Sequence, residues 1–568
     1  MKILLVTLHA KYSHSSLALP CLAACCSEIK GVEIIIREWS VNESREHILK
    51  LIMAEQADLI AFSCYIWNIE KTLKIISDIK KISPLKLIVL GGPEVSFGVF
   101  ELMHDNPAVD FVVKGEGEQV FKRLVETLAD TPSAPPLTGI GNLFFREGDN
   151  IVSGLMTPEE FQLDSIPSPF ELGLVDLSKP LNYYETSRGC PFSCAFCLSS
   201  KEGSVRSFGM ERIQRDLLFL ITHNVSQIKL VDRTFNFDSV RAGEIWEFIL
   251  RHNRGSHFHF EIAADLLTED NLRILAQVPE DTFRFEIGIQ SASESSLKRV
   301  GRRADLSKIS SAVRRLKTET KVELHLDLVA GLPGEDYNGF LESLQLLASL
   351  EPDMIQIEPL KLLKGTLMRE IAERDNYQFS NFPPYTILGN PWLSFDDISR
   401  IETIGRLLDL FHKHGGFATA FALLLQNLPF AAILDRMARS VGNETLSGLS
   451  CRRVYELFAR MSFESLWSLE SLWSLESLYD ALFFDYCRCE MPLKGKLPLF
   501  MVNQQNLCEW PAPGDLLSRL DLSPDCRVKT FRYQFLADYR TTPWQNTPAP
   551  ITFIYASAPG RGLKMILT

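Results

Sequence analysis

The sequence has no apolar run approaching the ~18 residues that a membrane-spanning helix requires. Its first residues, Met1-Lys2-Ile3-Leu4-Leu5-Val6-Thr7, form a short strand-like run without the long apolar region and small-residue cleavage site of a secretory signal. Cysteine is sparse. Twelve in 568 residues do not make a disulfide scaffold, so the expected setting is a reducing cytoplasm. Positive charge is also short, with 59 Lys and Arg against 71 Asp and Glu, and the net −12 argues against a general nucleic-acid-binding surface. A further absence concerns three cysteines that do lie close together, Cys190, Cys194 and Cys197. No second C-x-x-C pair follows to complete the two-pair ligand set of a structural zinc site.

What is present starts with that triad. At 46% hydrophobic and 23% charged residues, the chain has an ordinary soluble composition and the length for several domains. The stretch from Tyr183 to Cys197 sets C-x-x-x-C-x-x-C just past an aromatic, strand-like run. Thiolates are soft ligands that select iron–sulfur clusters, zinc or Cu(I). Three of them on a four-iron cluster leave one iron open to a substrate or cosubstrate. The triad alone also admits a partial zinc site. With Phe196 just before the third cysteine, the loop resembles the cluster loop of the radical S-adenosylmethionine (SAM) enzymes. The resemblance implies a [4Fe-4S] cluster on Cys190, Cys194 and Cys197, with SAM chelated at the open iron and cleaved to a 5'-deoxyadenosyl radical. It also implies an oxygen-sensitive protein served by an external electron donor of the flavodoxin or ferredoxin type.

Residues 1–135 alternate strand and helix, the pattern of a doubly wound, Rossmann-like parallel sheet. Ligands of such sheets sit beyond the carboxyl ends of the strands, which singles out the loops at 8–16, 63–68, 91–96 and 114–118. Those loops resemble the cobalamin-binding domain that precedes many radical SAM barrels. The resemblance assigns cofactor contacts to Ser63, Tyr65, Trp67, Gly91, Gly92, Pro93, Glu94, Gly115, Glu116 and Gly117. Glycines there let the backbone approach a large flat cofactor. The D-x-H-x-x-G pattern of many cobalamin domains is missing. His9 and His14 read as polar loop residues, and Trp67 or Tyr65 is the candidate to cover the lower cobalt face. The alternative for this domain is a nucleotide-binding fold without cobalamin.

Residues 136–180 read as a linker. It follows the proline-rich Thr131-Pro132-Ser133-Ala134-Pro135-Pro136 and contains a hairpin around Glu147-Gly148-Asp149. Residues 181–370 carry six strand-like runs separated by helices, which predicts a partial (β/α)6 TIM-type barrel with its site at the strand carboxyl ends. By the resemblance, Asp232 lies near the SAM amino group, Glu261 and Gln290 near its ribose or methionine part, and Val329 to Leu332 near its adenine. Arg206 or Arg303 is the partner for the SAM carboxylate.

Residues 371–568 read as a mostly helical capping domain. It contains a hexapeptide repeat from Glu464 to Tyr479, whose period of six does not match a straight helix, and edge strands near Ile551–Ala556 and Leu563–Leu567. Cys487, Cys489, Cys508 and Cys526 read as buried or surface thiols. Taken together, the chain resembles a cobalamin-dependent radical SAM enzyme. The function implied is methyl transfer to an unactivated carbon of a small molecule or peptide, using methylcobalamin and the 5'-deoxyadenosyl radical. Oxidative cyclisation or ring rearrangement without methyl transfer is the alternative. A non-catalytic cobalamin or iron–sulfur sensor is a third.

Overall fold

A computed structural model describes residues 1–130, 137–154, 162–201, 203–442, 444–466, 475–493, 495–501, 508–509, 527–541, 543–557 and 564–567. The proline-rich break at 131–136, Trp467 and Trp473 of the repeat, and Cys526 lie outside the described residues. The chain divides into two compact units. The first holds Met1–Asp336, Leu350–Asp353 and Pro359–Ser394, and the second holds Tyr337–Ser349, Met354–Glu358 and Phe395–Thr568.

The first unit opens with strands β1 (Lys2–His9), β2 (Glu33–Ser40), β3 (Leu59–Ser63), β4 (Leu87–Gly91) and β5 (Phe111–Val113), paired parallel in the order β2-β1-β3-β4-β5. Leu4, Val6, Ile60 and Ile88 face one apolar layer and Ile3, Leu5, Leu59 and Val89 the other, so both faces of the sheet are buried. That explains the near-continuous apolar runs of these strands. The order reverses between β1 and β3, and the crevice of such a sheet opens at that point, above His9 and Ser63. The hairpin from the expected linker, β6 (Leu143–Glu147) and β7 (Asn150–Ser153), does not hang free. β6 pairs antiparallel with β5, and Leu143, Phe144 and Phe145 are buried. The sheet therefore has seven strands, because three consecutive large apolar residues could not stay in water.

The second sheet of the first unit runs from β8 (Leu181–Tyr184). A short hairpin follows it, β9 (Ser187–Arg188) with β10 (Arg206–Ser207). The sheet continues through β11 (Gln227–Leu230), β12 (His257–Ile262), β13 (Phe283–Gln290) and β14 (Glu323–Ala330), in the order β14-β13-β12-β11-β8, and β15 (Met354–Pro359), whose Met354–Glu358 falls in the second unit, follows in the chain. Neighbours from β8 to β14 pair parallel, giving the open barrel expected from the sequence. Its strands alternate. Phe258, Phe260, Phe283 and Phe285 are fully buried and pack on one another, with Phe285 stacked on Trp246, while His259, Glu261, Arg284 and Glu286 point the other way. A closed barrel packs its interior with branched apolar side chains. This one keeps a polar interior. After it come β16 (Gln378–Phe379) and β17 (Ile387–Gly389), an antiparallel pair.

The second unit contains helices Phe395–Lys413, Ala418–Leu424, Phe430–Ser440, Cys451–Leu466 and Leu475–Cys489. It ends in an antiparallel sheet of β18 (Cys508–Glu509), β19 (Arg527–Phe535), β20 (Ala549–Ser557) and β21 (Lys564–Leu567). The expected edge strands are thus part of a four-stranded sheet, and the unit is less purely helical than its sequence reads. Asp485, buried, accepts from the backbone of Thr419 (3.2 Å) and Ala420 (2.9 Å) and satisfies the start of a short helix. Cys487 is buried, and the Tyr555 hydroxyl donates to its carbonyl at 2.6 Å.

Candidate cofactor site

The cysteine loop leaves the end of β8 and is held from three sides. Ala195 N donates to Val300 O (2.8 Å), Met368 N donates to Ala195 O (2.9 Å), and the Ser200 hydroxyl donates to Cys197 O (2.7 Å). Gly189 takes φ +94, and a Cβ there would lie 2.9 Å from Ser204 O, so only glycine fits the turn into Cys190. Cys194 is buried, Cys190 and Cys197 are partly exposed, and none is in a disulfide. Burial pushes the Cys194 thiol up, and the Arg302 guanidinium, 3.6 Å from its sulfur, pulls it back down. Cys190 Sγ lies 3.4 Å from the Thr234 hydroxyl. Among the described residues no three His, Cys, Asp or Glu side chains converge as ligands of one ion. Thiolates that each take a different iron of a cluster need no such convergence.

Asp232, at the end of β11, is buried and accepts from Thr186 N at 3.0 Å and from the hydroxyls of Thr186 and Ser187. Burial raises its pKa against those donors. The carboxylate is therefore occupied in bracing the strand that leads into the cysteine loop. Glu261 pairs with Lys229 (3.3 Å), which also holds Glu286 (3.0 Å). Burial raises the Glu261 pKa, with Lys229 opposing. Glu286 sits at about 2, held down against burial by the His259 ring, 2.8 Å away, and by Lys229. Gln290 adopts φ +73, and its amide fills the space beside Gly288, where a Cβ would come within 2.1 Å of Nε2. Val329 is partly exposed, whereas Leu332 is fully buried. Phe196 is partly buried.

Of the two candidate arginines, Arg206 is engaged by Glu116, and Arg303 is exposed. The sequence reading passed over Arg302, which lies against Cys194 and donates to Gly288 O, and Arg188. Arg188 collects Glu118 (2.5 Å), Glu185 (3.0 Å) and Glu116 (3.3 Å). Glu116 is thus bound in an ion cluster with Arg188 and Arg206. Burial pushes Glu185 up to about 7 even with Arg188 beside it.

On the other sheet, Ser63 is buried at the end of β3, and Ser63 O accepts from Asn68 Nδ2 (3.0 Å). The Tyr65 and Trp67 rings stack in parallel, with centroids 4.4 Å apart and planes at 6°. Trp67 donates from Nε1 to Leu8 O (3.0 Å) and remains 46% exposed, so a broad flat face is available there. His9 is tied to Glu38 (2.8 Å), and His14 Nδ1 lies 3.0 Å from the Tyr183 hydroxyl. Gly92 takes φ +104, and its Cβ would meet Cys64 O at 2.6 Å, so it serves the packing of β4 on β3. Gly91 has ordinary contacts, Gly117 packs on Leu22, and Gly115 (φ +76) faces open space. Pro93 starts a single 3₁₀ turn. Glu94 is buried, not open to a ligand, and pairs with Lys364 (2.9 Å) and the Tyr385 hydroxyl.

Comparison with known proteins agrees with these modules. The B12 binding domain model matches residues 3–125 and the radical SAM superfamily model residues 184–347. A family of unknown function, DUF4080, matches 374–508. The cobalamin-dependent radical SAM methyltransferase TokK of Streptomyces tokunonensis is 25% identical over 61% of this chain and 53% of its own. An anaerobic magnesium-protoporphyrin IX monomethyl ester cyclase of Rubrivivax gelatinosus is 23% identical over 68% of this chain and 70% of its own. The chain thus spans about half the length of the methyltransferase it matches. The solved cobalamin-dependent S-adenosylmethionine radical enzyme OxsB, with aqua-cobalamin bound, superposes with a TM-score of 0.60 at 16% identity, covering 86% of this chain and 84% of that one. At that identity the likeness is one of fold. The chain thus carries a region matched by the B12 binding domain model in series with one matched by the radical SAM superfamily model, the same two modules that its cobalamin-dependent radical SAM relatives are named for.

Proposed function

We propose that the chain is a cobalamin-dependent radical SAM methyltransferase acting on an unactivated carbon of a small molecule or peptide. The observation that carries this is the placement of the Cys190–Cys197 loop and the strand-end turns of the B12-binding sheet in one unit, joined by Arg188 to Glu116 and Glu118. Bound there, the cluster, SAM and cobalamin supply the electron, the radical and the methyl group.

The chain's own residues hold and orient. Cys190, Cys194 and Cys197 are free soft ligands for three irons, and Arg302 keeps the buried Cys194 sulfur closer to its anionic form. Asp232 braces Thr186 and Ser187 beneath the loop. Glu261, Gln290 and Val329 line the barrel mouth for SAM. Ser63, Tyr65, Trp67, Gly91 and Gly115 receive the corrin, with the stacked rings offering a flat apolar face. Tyr183 lies in β8 against His14, and Glu185 follows the strand's last residue beside Arg188. The electron comes from an external flavodoxin- or ferredoxin-type donor, and the setting is a reducing cytoplasm. No helix among the described residues is long and apolar enough to cross a membrane.

Anaerobic reconstitution with iron, sulfide and hydroxocobalamin tests the reading. The protein should retain about four irons and a corrin per chain. With SAM and dithionite it should release both S-adenosylhomocysteine and 5'-deoxyadenosine. Cys190→Ala should lose the second product and keep the corrin. Iron uptake with no corrin would sink the reading, and 5'-deoxyadenosine without S-adenosylhomocysteine would exclude methyl transfer.

A further inference from the structure

Residues 360–392 form a strap across the first unit. Ile387 N donates to Leu360 O (2.9 Å), Leu362 N donates to Tyr385 O (2.9 Å), and Lys361 bridges Thr386 in antiparallel register. The strap touches two turns that belong to different sheets. At the barrel turn after β14, the Tyr377 hydroxyl and Asn390 Nδ2 both donate to Gly331 O at 3.1 Å. Ile387 packs so closely there that a Cβ on Gly331 would lie 2.7 Å from its Cδ1. At the turn after β4, the Tyr385 hydroxyl donates to the Glu94 carboxylate, and Lys364 Nζ lies 2.9 Å from the same oxygen. Next to this, Gly365 lies against the Phe97 ring, which a Cβ would overlap at 2.2 Å.

Two features mark this contact as more than packing. Glu94 is 3% exposed at its side chain, so its charge depends on Tyr385 and Lys364 for compensation. Tyr385 is held at φ +59, a conformation that bulky residues rarely adopt and that persists where surrounding contacts over-determine it. Arg369 and Lys364 sit over its ring at 4.9 and 5.5 Å. Glu94 immediately follows Gly91-Gly92-Pro93, so whatever fixes its carboxylate fixes the diglycine turn.

We propose that Tyr385 and Lys364 are positioning residues: by clamping Glu94 they fix the Gly91-Gly92 turn for the corrin, and the strap ties that turn to the Gly331 turn of the barrel. The inference rests on the cobalamin reading above. It also gives a task to the start of the segment matched by the family of unknown function, which begins at residue 374.

Absorbance titration of the apoprotein with hydroxocobalamin tests it. Tyr385→Phe and Lys364→Met should each weaken corrin binding by about tenfold, the worth of one charge-assisted buried hydrogen bond. Iron content after reconstitution and SAM affinity should stay unchanged. Glu94→Gln, which still accepts from Tyr385, should fall between wild type and Tyr385→Phe. A corrin affinity equal to wild type in a folded Tyr385→Phe protein would overturn the proposal, because a merely structural tyrosine changes stability alone. Should Tyr385→Phe fail to fold, Lys364→Met decides on the same criterion, since its ammonium is one-third exposed. Wild-type protein that binds no corrin would overturn the cobalamin reading instead.

Discussion

Arg188 and Glu118 stand 2.5 Å apart where the strand leading to the cysteine loop meets the turn after β5. Both side chains are nearly buried, at 14% and 8% exposure, so this is an internal pair and not a surface one. Removing one member of such a pair strands the other's charge. Arg188→Met should therefore cost about 3–5 kcal/mol in chemical denaturation. A loss below about 1 kcal/mol would place the pair in the class of surface bridges.

Glu185 gives a pH dependence with a defined sign. Burial raises its pKa to about 7, above the ordinary value of about 4.3 in an unfolded chain. Between those values the folded state holds a proton that the unfolded state has released. Stability from this group is therefore complete below the lower value and declines as pH rises toward 7, at up to about 1.4 kcal/mol per pH unit. In Glu185→Gln that decline should be absent, so the variant should gain on wild type between pH 5 and pH 8. Parallel stability profiles for the two proteins would refute the assignment.

Asp232 makes a separable prediction about the cysteine loop. Asn in its place keeps an acceptor but turns an amide donor toward the Thr186 and Ser187 hydroxyls. Asp232→Asn should lose about 1–3 kcal/mol and retain less iron after reconstitution, while corrin uptake persists. Normal iron content would show that the brace is dispensable.

At Gly92 the backbone needs glycine for two reasons at once, φ +104 and the Cys64 carbonyl in the place of a Cβ. Gly92→Ala should cost at least about 1–3 kcal/mol from the backbone conformation alone, read as a lower melting temperature. Gly115→Ala shares the positive φ but meets nothing within 4 Å, so its cost should be confined to the backbone term. Equal losses at the two sites would contradict this.

Which parts of this were legible in the sequence follows from the range of the interactions. The parallel sheets came from local periodicity, and the cysteine loop from spacing within eight residues. The hairpin at Glu147-Gly148-Asp149 was legible too, but its attachment to β5 was not, because an edge pairing has no sequence marker. Glu94 and Glu116 beside loop glycines read as ligand contacts. Their partners lie 291 residues away at Tyr385 and 90 residues away at Arg206, and no local pattern announces such a partner. Arg302 was missed in favour of its neighbour Arg303 because an irregular turn has no period from which to choose the inward residue. The strap was invisible for a related reason: β16 and β17 span two and three residues, too short to show alternation.

The alternation of the barrel strands has a last consequence. With His259, Glu286, His325 and Lys229 turned inward and phenylalanines outward, the described strands put paired charges rather than apolar side chains on the inner face of the barrel. On the proposed function, dryness at that face would come from the molecules bound against it. A reactive carbon species formed there would be shielded from water only once the molecules that fill the bore are seated, so the guest serves as the stopper.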